Sequence, residues 1–171
     1  MDFTFEVAAA VVLVALSLVL QCAGMAVVID WGLTHIARDK HRLGPARATA
    51  LIVRFATVML ALHLCQILVW AGFYRWTCFP SWESAFYFSG VSYSTVGYGD
   101  LILPTMWRVL GPLEAITGVL MCGMSVSLLF AVVTRLVDRE VRLAPELLAA
   151  LQPNKEASQW LSTSGGVSSR Q

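Results

Sequence analysis

Tyr93-Ser94-Thr95-Val96-Gly97-Tyr98-Gly99-Asp100 gathers a hydroxyl, two glycines and an unbroken run of main-chain carbonyls into eight residues. The chemistry open to such a run is coordination of a cation by oxygen. Four Thr-Val-Gly-Tyr-Gly strands around one axis can form a ladder of carbonyl oxygens that replaces the water shell of a potassium ion. An ordinary extended strand points successive carbonyls to opposite sides, whereas glycine can enter the φ > 0 region and turn neighbouring carbonyls toward one axis. On this reading the ligands are the carbonyls of Thr95, Val96, Gly97 and Tyr98 with the Thr95 hydroxyl, and Gly99 and Asp100 support the segment. Potassium is then a permeant ligand, and no cofactor is expected.

A re-entrant strand of this kind cannot face lipid, because its amides and carbonyls would lose their hydrogen bonds, so surrounding protein must hold it. The composition puts that protein in a bilayer: 57% of the 171 residues are hydrophobic and 13% charged, against about a quarter charged in soluble domains. Val7 to Ile29, Phe55 to Tyr74 and Ala115 to Thr134 are free of charged residues. Each is long enough to cross about 30 Å of hydrocarbon as a helix. Between the last two, Pro80-Ser81-Trp82-Glu83 reads as a helix start, with Ser81 capping free amides and Glu83 in the first turn, where negative charge suits the helix dipole. Trp82 and Glu83 are accordingly candidate supports of the filter, and Phe86, Tyr87 and Phe88 add aromatic mass around Tyr98.

From roughly Arg54 to Arg135 the chain resembles the pore of the two-transmembrane pore family of bacterial potassium channels. The resemblance rests on the Thr95–Gly99 motif and on the order outer helix (Phe55 to Tyr74), pore helix (Trp82 to Ser94), filter, and inner helix (about Val109 to Thr134). It implies an all-α membrane protein, a potassium channel pore module with one additional N-terminal transmembrane helix, assembled as a homotetramer. The implied function is passive, potassium-selective conduction. The alternatives are a non-selective cation channel and a non-conducting regulatory or structural subunit of another channel. By the same resemblance Gly118 lies within one residue of the family's inner-helix hinge, with close helix packing as the competing role for Gly118 and Gly123. Val91 stands where some relatives carry a Glu behind the filter.

The chain thus divides into an N-terminal transmembrane helix (1–30), a basic cytoplasmic connection (31–54), an ion channel pore domain (55–134) and a partly disordered cytoplasmic tail (135–171). Arg38, Lys40, Arg42, Arg47 and Arg54 outweigh Asp30 and Asp39 in the connection, and Arg135, Arg139 and Arg142 follow the last span. Basic flanks face the cytoplasm, which places the multi-pass protein in the cell membrane with its N-terminus extracellular or periplasmic and its C-terminus cytoplasmic. The start Met1-Asp2-Phe3-Thr4-Phe5-Glu6 lacks a positive n-region, so the first span is read as retained. It carries no repeated Arg or Lys and is read as a packing helix, not a voltage sensor. Thr34 to Arg42 reads as a short interfacial helix near Trp31, interrupted by Gly44-Pro45. Pro145 and Pro153 are expected to break the chain around a short helix at Glu146 to Leu151, and Ser162 to Gln171 is expected to be disordered. With so little soluble chain, the pore is expected to be constitutively leaky, responsive to the membrane lipid, or regulated through a separate partner.

A net charge of +1 and the absence of a long basic run exclude a nucleic-acid partner. Cys22, Cys65, Cys78 and Cys122 form no Cys-x-x-Cys pair, His35 and His41 lack metal-site partners, and no nucleophile stands near a base, so no enzyme is expected. Glu114 is expected either at the interface or paired with a cation such as Arg108, and His63 is read as a neutral histidine facing another helix.

Overall fold

The computed structural model describes residues 3–38 and 44–151. Among the described residues four α-helices follow in order, α1 (Phe3–Arg38), α2 (Pro45–Thr77), α3 (Trp82–Tyr93) and α4 (Leu110–Leu151), with a 3-10 turn at Thr105–Trp107. Three stretches are long and apolar enough to cross a membrane: Thr4–Gly32, Ala46–Thr77 and Thr105–Asp138. The protein is therefore an all-α, multi-spanning membrane protein, as its composition predicts. Asp39, Lys40, His41, Arg42, Pro153 and Ser162 to Gln171 lie outside the described residues, as do the side chains of His35 and Arg38.

Two boundaries differ from the sequence reading. Residues 34–38 continue α1 instead of forming a separate interfacial helix, since nothing before Arg38 removes a backbone donor. Pro145 does not break the chain: α4 runs through it to Leu151, carried by the strong helix formers Glu146, Leu147, Leu148, Ala149 and Ala150. Other termini follow local rules. Pro45 opens α2, where its missing N–H costs nothing. Ser81 caps α3 from an extended conformation, its hydroxyl oxygen accepting the Ser84 amide at 3.1 Å.

The chain divides into two compact units, with the boundary between Val133 and Thr134. In the first unit α1 buries Glu6, Ala10, Leu13, Ser17, Gln21 and Val28, a stripe spaced by three, four or seven residues that lies along one face of a helix. α2 offers Phe55, Met59, Gln66, Trp70 and Tyr74 on a matching stripe. One core gathers Leu13, Trp70, Tyr74, Ala85, Leu103, Trp107 and Leu110. Its aromatic rings meet edge to face, Phe73 with Trp107 at 5.2 Å and Tyr74 with Phe88 at 5.1 Å. A second cluster forms around Val28, Phe55 and Met59, where the Arg54 guanidinium lies 4.3 Å from the ring centre of Trp31. The second unit holds the helical residues 134–151.

Candidate functional site

The segment after α3 is built by backbone conformation. Thr95, Gly97 and Gly99 have φ of 62°, 57° and 77°, while Val96 and Tyr98 between them do not have positive φ. Left-handed backbone at every second residue departs from the regular alternation of an extended strand. Two of these positions are glycines and adopt this region freely. Thr95 is β-branched and strained there.

The segment is tied at both ends. Behind it, the Val91 carbonyl accepts the amides of Val96 at 3.0 Å and Gly97 at 3.3 Å, and the Ser92 carbonyl accepts the Thr95 amide at 3.0 Å. Val91, which offers no side-chain hydrogen bond, thus serves through its main chain. In front, the Tyr87 hydroxyl donates to Asp100 Oδ2 at 2.8 Å. That bond, and the nearby carboxylate charge, push the Tyr87 phenol above the usual tyrosine range. Asp100 is therefore an anchor for the strand as well as a negative charge beside it. Ser94 to Asp100 are all exposed within one chain, and Tyr98 retains 72% of its surface.

The other residues expected at the site are less directly connected. Trp82 and Glu83 are exposed at the first turn of α3, and it is Tyr87, one turn further on, that reaches the segment. Gly118 is buried in α4 beneath the end of α3, where an added Cβ would overlap the Tyr93 carbonyl oxygen and lie 3.2 Å from Tyr93 Cγ. Its missing side chain is used for close packing. A Cβ at Gly123 would meet nothing within 4 Å.

Glu114 is placed differently from the expectation. It is fully buried, and its partners are hydroxyls, not Arg108: Tyr74 donates to Oε2 at 2.9 Å and Ser89 to Oε1 at 2.5 Å. The carboxyl group joins α2, α3 and α4. Hydrogen bonds to both oxygens offset part of the cost of burying it.

A second polar group escaped the sequence reading. Gln21 and Gln66 are fully buried and joined by a 2.7 Å hydrogen bond from Gln66 Nε2 to Gln21 Oε1. Gln66 Oε1 accepts from the Tyr93 hydroxyl at 2.9 Å, and Tyr93 Oη is 2.9 Å from His63 Nδ1. His63 thus faces another helix, as expected, but as part of a network. The signal in the sequence is that each is the sole amide side chain in its apolar span.

Among the described residues no group of three or more His, Cys, Asp and Glu could hold a metal ion. All four cysteines are free in the single chain. Residues 51–135 match a family model described as "Ion channel". No curated protein and no solved structure matches significantly.

Proposed function

We propose, from the match of residues 51–135 to a family model described as "Ion channel", that the chain assembles as a homotetramer that conducts potassium selectively and passively across the cell membrane. Thr95, Val96, Gly97 and Tyr98 supply the carbonyl ligands, Thr95 adds its hydroxyl, and Gly99 and Asp100 end the ladder. The observation that carries the reading is the left-handed backbone at Thr95, Gly97 and Gly99, which suits a row of carbonyls aimed at one axis and nothing that an ordinary loop requires.

Exposure within one chain supports the assembly. The segment itself is uncovered, and on α4 Ile116, Val119, Val126 and Phe130 are 60–72% exposed. A groove of about 430 Å³ beside the segment, lined by Phe88, Thr95, Leu101, Leu103 and Ala115 among others, is open for a neighbouring copy. A re-entrant backbone exposed to lipid would be unfavourable, and three further copies cover it. In this arrangement the basic flanks Arg47, Arg54, Arg135 and Arg142 face the cytoplasm, with the Asp100 end of the segment at the outer mouth.

The test is flux of potassium and of sodium into liposomes that contain the purified protein alone, with Gly97→Ala and Gly99→Ala as controls. Potassium-selective flux lost in both variants is expected. Equal sodium and potassium flux would instead make the protein a non-selective cation channel, and no flux from an assembled tetramer would make it a subunit needing a partner.

A further inference from the structure

α1 lies outside the family-matched residues 51–135, yet a buried amide on it is wired to the residue that leads into the candidate filter. Gln21 is completely buried midway along α1, the sole amide side chain of that helix. Such a group is unfavourable unless its donors and acceptor are all used. They are: Gln21 Oε1 accepts from Gln66 Nε2, and Gln21 Nε2 donates to Ser125 Oγ at 2.9 Å and to the Met121 carbonyl at 3.4 Å. Tyr93 has one hydroxyl proton, and it goes to Gln66 Oε1. His63 must then donate from Nδ1 to the Tyr93 oxygen. Every donor therefore points the same way, from His63 through Tyr93, Gln66 and Gln21 to α4, an arrangement in which each bond polarises the next.

Tyr93 is the last residue of α3, and its carbonyl rests on Gly118. Two residues further on is Thr95, so a shift of Tyr93 is passed to the start of the Thr95–Gly99 segment. α1 itself is held in register by Glu6, whose Oε1 accepts the Val109 amide at 2.9 Å, while the bond from the Trp70 indole N–H to Ser17 Oγ at 3.1 Å joins α1 to α2 outside the network.

We infer that Gln21 is a positioning residue for ion conduction: acting through Gln66 it fixes Tyr93, and through Tyr93 the conformation of the Thr95–Gly99 segment. The additional N-terminal helix is thereby part of the conduction machinery and not only an anchor. The inference rests on the conduction reading for its electrical consequence but not for its structural one.

The experiment uses the full chain, purified and reconstituted, with Gln21→Leu, Gln66→Leu, the double variant, and Ser17→Ala as a control that loosens α1 from α2 without touching the network. Single-channel open lifetime and hydrogen exchange of amides 94–99 are both read. Each glutamine variant is expected to change both quantities on the order of tenfold, the double variant no more than either single one, because the residues act in one network. Ser17→Ala should leave both near the wild-type values. Gln21→Met, of equal length and without hydrogen-bonding groups, replaces Gln21→Leu if the branched side chain prevents assembly. Glutamine variants that behave like Ser17→Ala, or two singles whose effects simply add, would overturn the inference. A wild-type protein that passes no potassium would count against the conduction reading alone, since hydrogen exchange still decides the role of Gln21.

Discussion

Ser89 on α3 and Glu114 on α4 are joined by a 2.5 Å hydrogen bond, the hydroxyl donating to a carboxylate oxygen with no exposed surface on either side chain. With Tyr74 on the other oxygen, this carboxylate is the point where three helices are pinned together. Glu114→Ala should lower the stability of the assembled protein by about 1–3 kcal/mol, because it strands the buried Tyr74 hydroxyl. Glu114→Gln keeps an acceptor and should cost less than half as much. Thermal unfolding in detergent measures both, and equal losses would show that the acceptor is not what matters.

Gly118 and Gly24 are both glycines in helices, but they should respond oppositely to alanine. A Cβ at Gly118 meets the main chain of Tyr93, with the carbonyl carbon at 3.0 Å, whereas at Gly24 it meets the mobile methyl groups of Leu62 at 2.7 and 2.8 Å. A helix backbone cannot swing aside as a leucine can, so Gly118→Ala should destabilise by about 1–3 kcal/mol. Gly24→Ala should be near neutral, since the higher helix propensity of alanine returns about 1 kcal/mol. Unfolding midpoints of the two variants, compared side by side, check this.

Thr95 holds φ of 62°, a conformation that costs an L-residue about 1–2 kcal/mol and that a β-branched residue rarely accepts. Strain of this sort persists where function needs the side chain. Thr95→Gly should therefore fold at least as stably as the wild type yet lose the proposed preference for potassium over sodium, while Thr95→Ser keeps the hydroxyl and most of that preference. Reversal potentials under opposed gradients report the outcome. Unchanged selectivity in Thr95→Gly would remove the hydroxyl from the ligand set.

The Tyr87 phenol sits above the ordinary tyrosine pKa because losing its proton would break the bond to Asp100 and set a phenolate beside a carboxylate. The pair's contribution to stability is present below about pH 10, the unfolded value, and is lost as pH rises through the higher folded value. In a spectrophotometric tyrosine titration, the component missing from Tyr87→Phe should be the one that titrates above the ordinary range. Asp100→Asn should move that component down. A component already at the ordinary position would mean that the two side chains do not pair in solution.

How far these features could be read in advance depended on the range of the interaction. The start of α3 at Trp82 follows from Pro80 and Ser81 alone, because a cap is formed within four residues. The left-handed positions at Gly97 and Gly99 follow from residue type. Pro145 was misleading: its local preference to end a helix was overridden by the residues that follow it. Glu114 was misplaced for a different reason, since the sequence shows a carboxylate and a nearby Arg108 but not the two hydroxyls, 25 and 40 residues away, that supply its hydrogen bonds.

By itself the amino-acid sequence determined a membrane-spanning, helical chain with a glycine-bearing turn between its last two spans, because hydropathy, capping and glycine conformation are properties of neighbouring residues. Which helix faces meet was decided only by the tertiary structure. The pairing of Gln21 with Gln66, the seat of Glu114 and the contact of Gly118 with Tyr93 all join residues distant in the chain. In apolar surroundings a polar group must find its partner within the protein, and only the packing of the helices settles which partner that is.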